Sequence, residues 1–269
     1  MDMPLVCVSL RGCTISEVLK DAASATATGA DLVEVRLDML WSKQEIVTTG
    51  EQDQKSPSKE DQKIKKTTVF TPQEFEYLDL DSVLISLRQG IVLPVILTCR
   101  PEREGGYFPG TEKQRLEVMR KAIESGVSWV DLEININAKE RAKLCELAKK
   151  GGTKIIASSH VLDESPISKE IIQDIKDSTE LGDIIKVCYK SAGRSDGINL
   201  FEAAWDLRNS DIKNSIMGLG QAGDWNRIHS PILGQAIVYS TMENGWHLAQ
   251  KGMMNTTDLR IAWEMLEYR

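Results

Sequence analysis

The chain has 269 residues, 41% apolar and 27% charged, enough to bury one large core in the manner of an ordinary globular protein. A formal net charge of −7 argues against nucleic acid or an anionic membrane as the main partner, because counterion release needs a positive surface. An anionic metabolite stays open where arginines concentrate locally. The opening Met-Asp-Met-Pro has no basic region leading into an apolar run, and no apolar segment approaches the roughly 20 residues that span a bilayer, so a cytoplasmic protein is expected. The five cysteines, Cys7, Cys13, Cys99, Cys145 and Cys188, form no Cys-x-x-Cys, which indicates reduced thiols rather than a disulfide framework or a zinc site.

Short apolar strands alternate with amphipathic helical stretches along the whole chain. Val6 to Leu10 reads as a strand, Ile15 to Thr28 as a helix and Leu32 to Leu40 as a second strand. The tract from Ser42 to Thr68 is rich in Lys, Glu, Gln and Ser; it buries too little apolar surface to order itself and reads as an insertion in the second crossover. A helix over Asp79 to Gln89 completes that unit, and Pro94 to Arg100 is the third strand. Helix Thr111 to Ser125, with Glu117 four residues before Lys121, leads to a fourth strand at Trp129 to Asn135. Helix Ala138 to Lys150 stops at Gly151-Gly152. Strand Lys154 to His160, helix Lys169 to Thr179, strand Asp183 to Lys190 and helix Ile198 to Arg208 follow. Ser215 to Gly218 opens a seventh strand, Ala236 to Met242 is the eighth, and Thr257 to Glu267 is a final helix. Eight such units in about 250 residues is the count of a single-domain (β/α)8 barrel, whose active site lies at the C-terminal ends of its strands. An open doubly wound sheet, which uses fewer strands, is the alternative.

The sixth strand is apolar and β-branched on both faces, yet holds Lys186 in its middle. Burial penalises an ammonium, so its pKa is expected to fall and a nucleophilic amine to become available for imine formation. The competing reading is a lysine paired with a carboxylate, since buried lysines are usually paired. Other strand ends carry polar residues that a barrel would gather into one pocket. Glu34, Arg36 and Asp38 alternate along the second strand, Arg100 ends the third with Glu104 just beyond, Asp131 and Glu133 sit on the fourth, and His160 ends the fifth. Each could equally be ion-paired filling of the barrel's inner layers; their common location at one end of the strands is the stronger pattern.

The runs at 32–38 (Leu-Val-Glu-Val-Arg-Leu-Asp), 98–106 (Thr-Cys-Arg-Pro-Glu-Arg-Glu-Gly-Gly), 129–133 (Trp-Val-Asp-Leu-Glu), 155–160 (Ile-Ile-Ala-Ser-Ser-His) and 183–187 (Asp-Ile-Ile-Lys-Val) resemble, in that order, type I 3-dehydroquinate dehydratase. The resemblance implies a cofactor-free barrel lyase that converts 3-dehydroquinate to 3-dehydroshikimate and is often a homodimer. It further implies Lys186 as the Schiff-base lysine, His160 as general acid/base and Glu104 as the carboxylate orienting it. Glu34, Arg36 and Arg100 match residues that hold the substrate's oxygens.

The C-terminal quarter departs from that pattern. Its Gly-x-x-Gly-x-x-Ser-Arg appears at 220–227 with Asn226 for the serine, Arg227 remaining in place to pair with a substrate carboxylate. The family's Gly-Ser appears as Gly234-Gln235, and Gln250 is the nearest candidate for the lid glutamine, because Pro-Gly-Gln is missing. Gly218-x-Gly220-x-x-Gly223 also matches a dinucleotide fingerprint, but Pro231 interrupts the helix that should follow. His229 and His247 read as surface or packing residues, and Trp225 and Trp246 as core cover or pocket mouth. Two other functions stay open: a Schiff-base lyase or aldolase acting on a related hydroxy ketone, and a non-catalytic metabolite-binding relative. Retention of Lys186 and His160 weighs against the last.

Overall fold

The computed structural model describes residues 3–49, 65–245 and 247–268. Strand β1 (Leu5–Leu10) leads through α1 (Ile15–Ala27) to β2 (Leu32–Arg36), followed by the hairpin β3 (Ser42–Thr49) and β4 (Lys65–Pro72). Then come α2 (Leu80–Gly90), β5 (Val95–Thr98), α3 (Glu112–Glu124), β6 (Trp129–Glu133), α4 (Ala138–Gly151) and β7 (Lys154–Val161). The chain finishes with α5 (Ser168–Asp177), β8 (Ile184–Ser191), α6 (Arg194–Leu207), β9 (Asn214–Gly220), α7 (Trp225–Ile228), β10 (Ile237–Ser240), α8 (His247–Gln250) and α9 (Thr256–Met265). Eight parallel strands in the order β10-β1-β2-β5-β6-β7-β8-β9 form the (β/α)8 barrel expected from the alternating pattern.

Helix starts are set by local chemistry: Thr14 and Thr111 make capping boxes with Glu17 and Gln114, and Asn137 and Asn255 accept from the first free amides of α4 and α9. Gly152 ends α4 in the left-handed region, at φ 74°, where a side chain would be strained. Glu117 pairs with Arg120 within α3, whereas Lys121, its expected partner, reaches Asp81 of α2.

Two local expectations are corrected. The second strand ends at Arg36, and Leu37–Trp41 is a tight 3-10 turn, so Asp38 is not an inward strand residue. It is instead a fully buried acceptor for Nε and Nη2 of Arg36 and for the amides of Arg100 and Tyr107. The flanks of the 42–68 tract are ordered as β3 and β4, paired antiparallel from Ser42↔Pro72 to Thr49↔Lys65. A ladder of cross-strand backbone bonds, closed at its base by Gln73 N to Trp41 O (2.7 Å), compensates for the sparse apolar content. Residues 50–64 of that tract lie outside the described residues.

Barrel strands alternate between two buried environments. Val33, Val35, Val130 and Leu132 face the helices, while Leu32, Ile96, Ile156, Ile184 and Ile237 meet inside the barrel. That inner apolar layer occupies the N-terminal half, and the inward positions above it are mostly polar. The seam between β9 and β10 is closed by bonds outside a regular ladder: Ala236 N to Asn214 O (2.9 Å), Ser215 Oγ to Ile237 O (2.7 Å) and Ile216 N to Gln235 Oε1 (2.6 Å).

Candidate active site

Period-two alternation carries the inward face of each strand from apolar to polar as it nears the C-terminal end. It runs Leu32 to Glu34 to Arg36 on β2, Trp129 to Asp131 to Glu133 on β6, Ile156 to Ser158 to His160 on β7, and Ile184 to Lys186 to Cys188 on β8. Parallel register sets Ser158 beside Lys186 and His160 beside Cys188. The result is a cavity of about 240 Å³ whose lining includes Glu34, Arg36, Arg100, Glu104, His160, Lys186 and Arg227.

Lys186 is 3% exposed, and its Nζ lies 3.2 Å from Asp131 Oδ2, 3.6 Å from Glu34 Oε1 and 4.1 Å from the centre of the Tyr239 ring. Burial pushes its pKa down, but the two carboxylates outweigh it and the net direction is up from 10.5. The expectation of a depressed lysine is therefore overturned. Sequence shows that the strand is buried; only the fold shows two anions converging on the amine. Glu34 is itself fixed by Thr98 Oγ1 (2.9 Å) and Ser9 Oγ, and its pKa is lowered by Lys186 and the arginines despite burial.

Arg100 is buried and engaged through both Nη atoms: Nη2 donates to Asp131 (2.8 Å), and Nη1 to Glu133 (2.9 Å) and Ser158 (2.9 Å). The ion-paired reading therefore applies to this residue even though it borders the cavity. Its charge holds Asp131 far below the usual carboxylate range, with Lys186 adding to the effect against burial. Glu133 continues the network to Arg115 on α3 (2.7 Å), and Arg115 to Glu112 (2.7 Å), so the barrel interior is tied to the helix outside it.

His160 Nδ1 is 3.1 Å from Glu104 Oε2, and Glu104 Oε1 accepts from Asn135 Nδ2 (2.9 Å). Burial, then Arg100 and Lys186, push the imidazole well below 6.5, so it is neutral at physiological pH. Burial and the charge of Glu133 raise Glu104 to about 7. With Nδ1–H donating to Glu104, Nε2 holds the lone pair; this tautomer follows from the hydrogen-bond partner.

Arg36 lines the cavity but is clamped bidentately by Asp38 (2.8 and 2.7 Å). Arg227 donates through Nε to Tyr239 O (3.0 Å) and through Nη1 to the carbonyls of Gly218, Gly223 and Gly252, while Nη2 has no hydrogen-bond partner among the described residues. The glycine run 218–223 therefore presents carbonyls to an arginine, and its turn leads into a helix of only four residues, neither of which makes a phosphate cradle. Gly218 and Gly223 are obligatory there, since a Cβ on either would fall 2.5 Å or less from the other's backbone.

Gln235 is not brought to the cavity. It lies just before β10, at the N-terminal end of the barrel, bonded to Ile216 N and to Asn214 Oδ1. Gln250 is exposed on α8; Met253, after the Gly252 turn, is the residue of that segment that reaches the cavity, with Glu243 at its rim. Asn226 spans the carbonyls of Leu200 and Ile216, a structural task. His229 packs on Phe201 and bonds Tyr268, His247 meets Glu243 on the surface, and Trp225 does not line the cavity. Trp246 lies outside the described residues. Tyr239 and Met253 are among the cavity residues that the sequence does not single out, since an aromatic in a strand and a methionine in a loop carry no pattern distinguishing site from core. Asp131 was visible as a strand-end carboxylate, but its contact with Lys186 needs the register.

The family profile for type I 3-dehydroquinase matches residues 6–268. A 3-dehydroquinate dehydratase of Methanosarcina barkeri is 27% identical over 256 residues, 94% of this chain and 92% of that protein. One from Methanopyrus kandleri is 25% identical over 264 residues, 97% and 100% of the two chains. Among solved structures, the type I 3-dehydroquinate dehydratase of Clostridium difficile with covalently modified comenic acid superposes with a TM-score of 0.78 at 20% identity, covering 98% of this chain and 92% of that one, and shares the fold. With the profile spanning the barrel from its first strand to its last helix, the chain belongs to the type I 3-dehydroquinase family.

Proposed function

We propose that this protein dehydrates 3-dehydroquinate to 3-dehydroshikimate through an imine on Lys186, with His160 moving the protons. The observation that carries this reading is the shared cavity holding a buried, carboxylate-flanked lysine beside a neutral histidine already bonded to its own carboxylate.

The ammonium of the free protein must lose protons for its nitrogen to attack the ketone, and the carboxylates at 3.2 and 3.6 Å are within reach to receive one. Once the iminium forms, the positive charge returns to the same atom. The pair that raises the lysine pKa thus also favours the protonated imine, which is the electron sink the next step requires. His160 Nε2 takes the proton from the carbon beside the iminium, and Glu104 stabilises the imidazolium that results. The histidine then delivers that proton to the departing hydroxyl, so that water leaves and the conjugated double bond forms. Assistance of this kind is worth about 10²–10⁴-fold. Hydrolysis of the iminium releases the product.

Arg227 suits the substrate carboxylate, because its Nη2 edge is unclaimed within the described structure; Arg36, held by Asp38 through Nε and Nη2, keeps its Nη1 for a substrate oxygen, while Arg100 is held through both Nη atoms by Asp131, Glu133 and Ser158. Met253 supplies an apolar wall on the segment that follows β10. Borohydride reduction in the presence of 3-dehydroquinate tests the reading. The expected result is a stable adduct on Lys186 together with growth of conjugated-enone absorbance in the untreated reaction; a protein unmodified at Lys186 would reject it.

A further inference from the structure

Tyr239 stands out among the buried groups around Lys186. Ser9, Thr98, Ser158, Glu34 and Asp131 all have hydrogen-bond partners. The Tyr239 hydroxyl is buried and has none among the described residues. The residue is 8% exposed and lines the cavity, and its ring lies against the lysine, 4.1 Å from Nζ to the centroid. An unsatisfied buried hydroxyl costs about 1–3 kcal/mol, whereas phenylalanine would fill the same ring volume and shield the same cation without it. The hydroxyl therefore makes no contribution to the fold that its cost would explain.

We propose that Tyr239 Oη donates a hydrogen bond to the substrate's ketone oxygen while the C–N bond to Lys186 forms, and to the same oxygen position when water re-enters to hydrolyse the imine. The proposal rests on the imine reading of Lys186. The nitrogen lone pair forms the C–N bond as the C=O π pair moves onto oxygen. Two of the three ammonium protons end on that oxygen, the C–O bond breaks, and ketone plus ammonium become iminium plus water. Negative charge develops on oxygen beside Nζ, next to the ring that bears the hydroxyl. Burial, followed by the charge of Glu34, pushes the phenol well above 10, so it stays protonated and acts as a donor throughout.

The test is Tyr239→Phe in the full chain, read by rapid-quench borohydride trapping with 3-dehydroquinate beside the steady-state enone assay and a thermal melt. Removing one donor aimed at developing charge costs about 10²–10³-fold, so adduct formation should slow by that factor while its end point is retained. The melting midpoint should hold or rise. His160→Ala serves as the contrast, trapping at the wild-type rate with turnover lowered by about 10²–10⁴-fold. Undiminished trapping by Tyr239→Phe, with an adduct in the wild type, overturns the tyrosine assignment alone. A wild-type protein that yields no adduct overturns the imine reading and this proposal with it.

Discussion

A lysine can be made nucleophilic by lowering its pKa or kept cationic by flanking it with anions, and Lys186 is of the second kind. The consequence is that its reactivity is set by the charge retained on the iminium rather than by a standing population of free amine. Lys186→Arg should give no borohydride adduct and no enone formation, because guanidinium stays protonated. His160→Ala should keep the adduct and lose turnover by about 10²–10⁴-fold. Glu104 makes a pH prediction with a definite sign. Its carboxyl, raised to about 7, must be ionised to stabilise the His160 imidazolium, so kcat/KM should fall as pH drops through about 7. Glu104→Gln should remove that limb, and its persistence would assign the titration elsewhere. The stability effect runs the other way: between the ordinary carboxylate value of 4.5 and about 7 the folded state binds more protons than the unfolded one. This group's contribution to stability therefore declines as pH rises through that window.

At the scale of elements, α3 is held to the barrel by a charge as much as by its apolar face. Arg115, 1% exposed, bonds Glu133, Glu112 and the carbonyl of Cys99, so Val118, Met119, Ala122 and Ile123 pack in a fixed register behind it. Arg115→Met should destabilise the protein by about 3–5 kcal/mol, the cost of stranding a buried partner charge. Urea unfolding would measure this, and a loss near zero would mean that Arg100 alone satisfies Glu133. The β3–β4 hairpin is the opposite case. Its two ends meet at the Trp41–Gln73 bond, and Ile46 and Val69 are exposed along it. Replacing 43–71 by a short turn should leave adduct formation and turnover within a factor of a few, since joining ends already in contact adds little closure entropy.

For the whole molecule, closure of the barrel depends on side chains where the β9–β10 ladder is irregular. Gln235 bonds the Ile216 amide and Asn214, and Arg227 bonds Tyr239 O while also holding the Gly252 turn. Gln235→Ala should therefore lower stability by roughly 1–3 kcal/mol, for an amide left unpaired, and leave kcat and KM unchanged below the melting range. A raised KM would restore Gln235 to the substrate site. Among the described residues no helix is long and apolar enough to cross a membrane.

Much of this protein is legible along the chain because the controlling interactions are local. The strand and helix periods, the threonine and asparagine caps and the glycine stop after α4 belong to segments a few residues long, so barrel architecture and the strand-end positions of Lys186, His160 and Glu34 follow from them. The ionisation state of Lys186, the commitment of Arg100 to Asp131 and Glu133, and the departure of Gln235 and Gln250 from the cavity do not. They depend on register between strands far apart in sequence and on the path of the segment after β10. Periodicity says which way a side chain points; only closing the barrel brings its neighbours close enough for charge and hydrogen bonding to act.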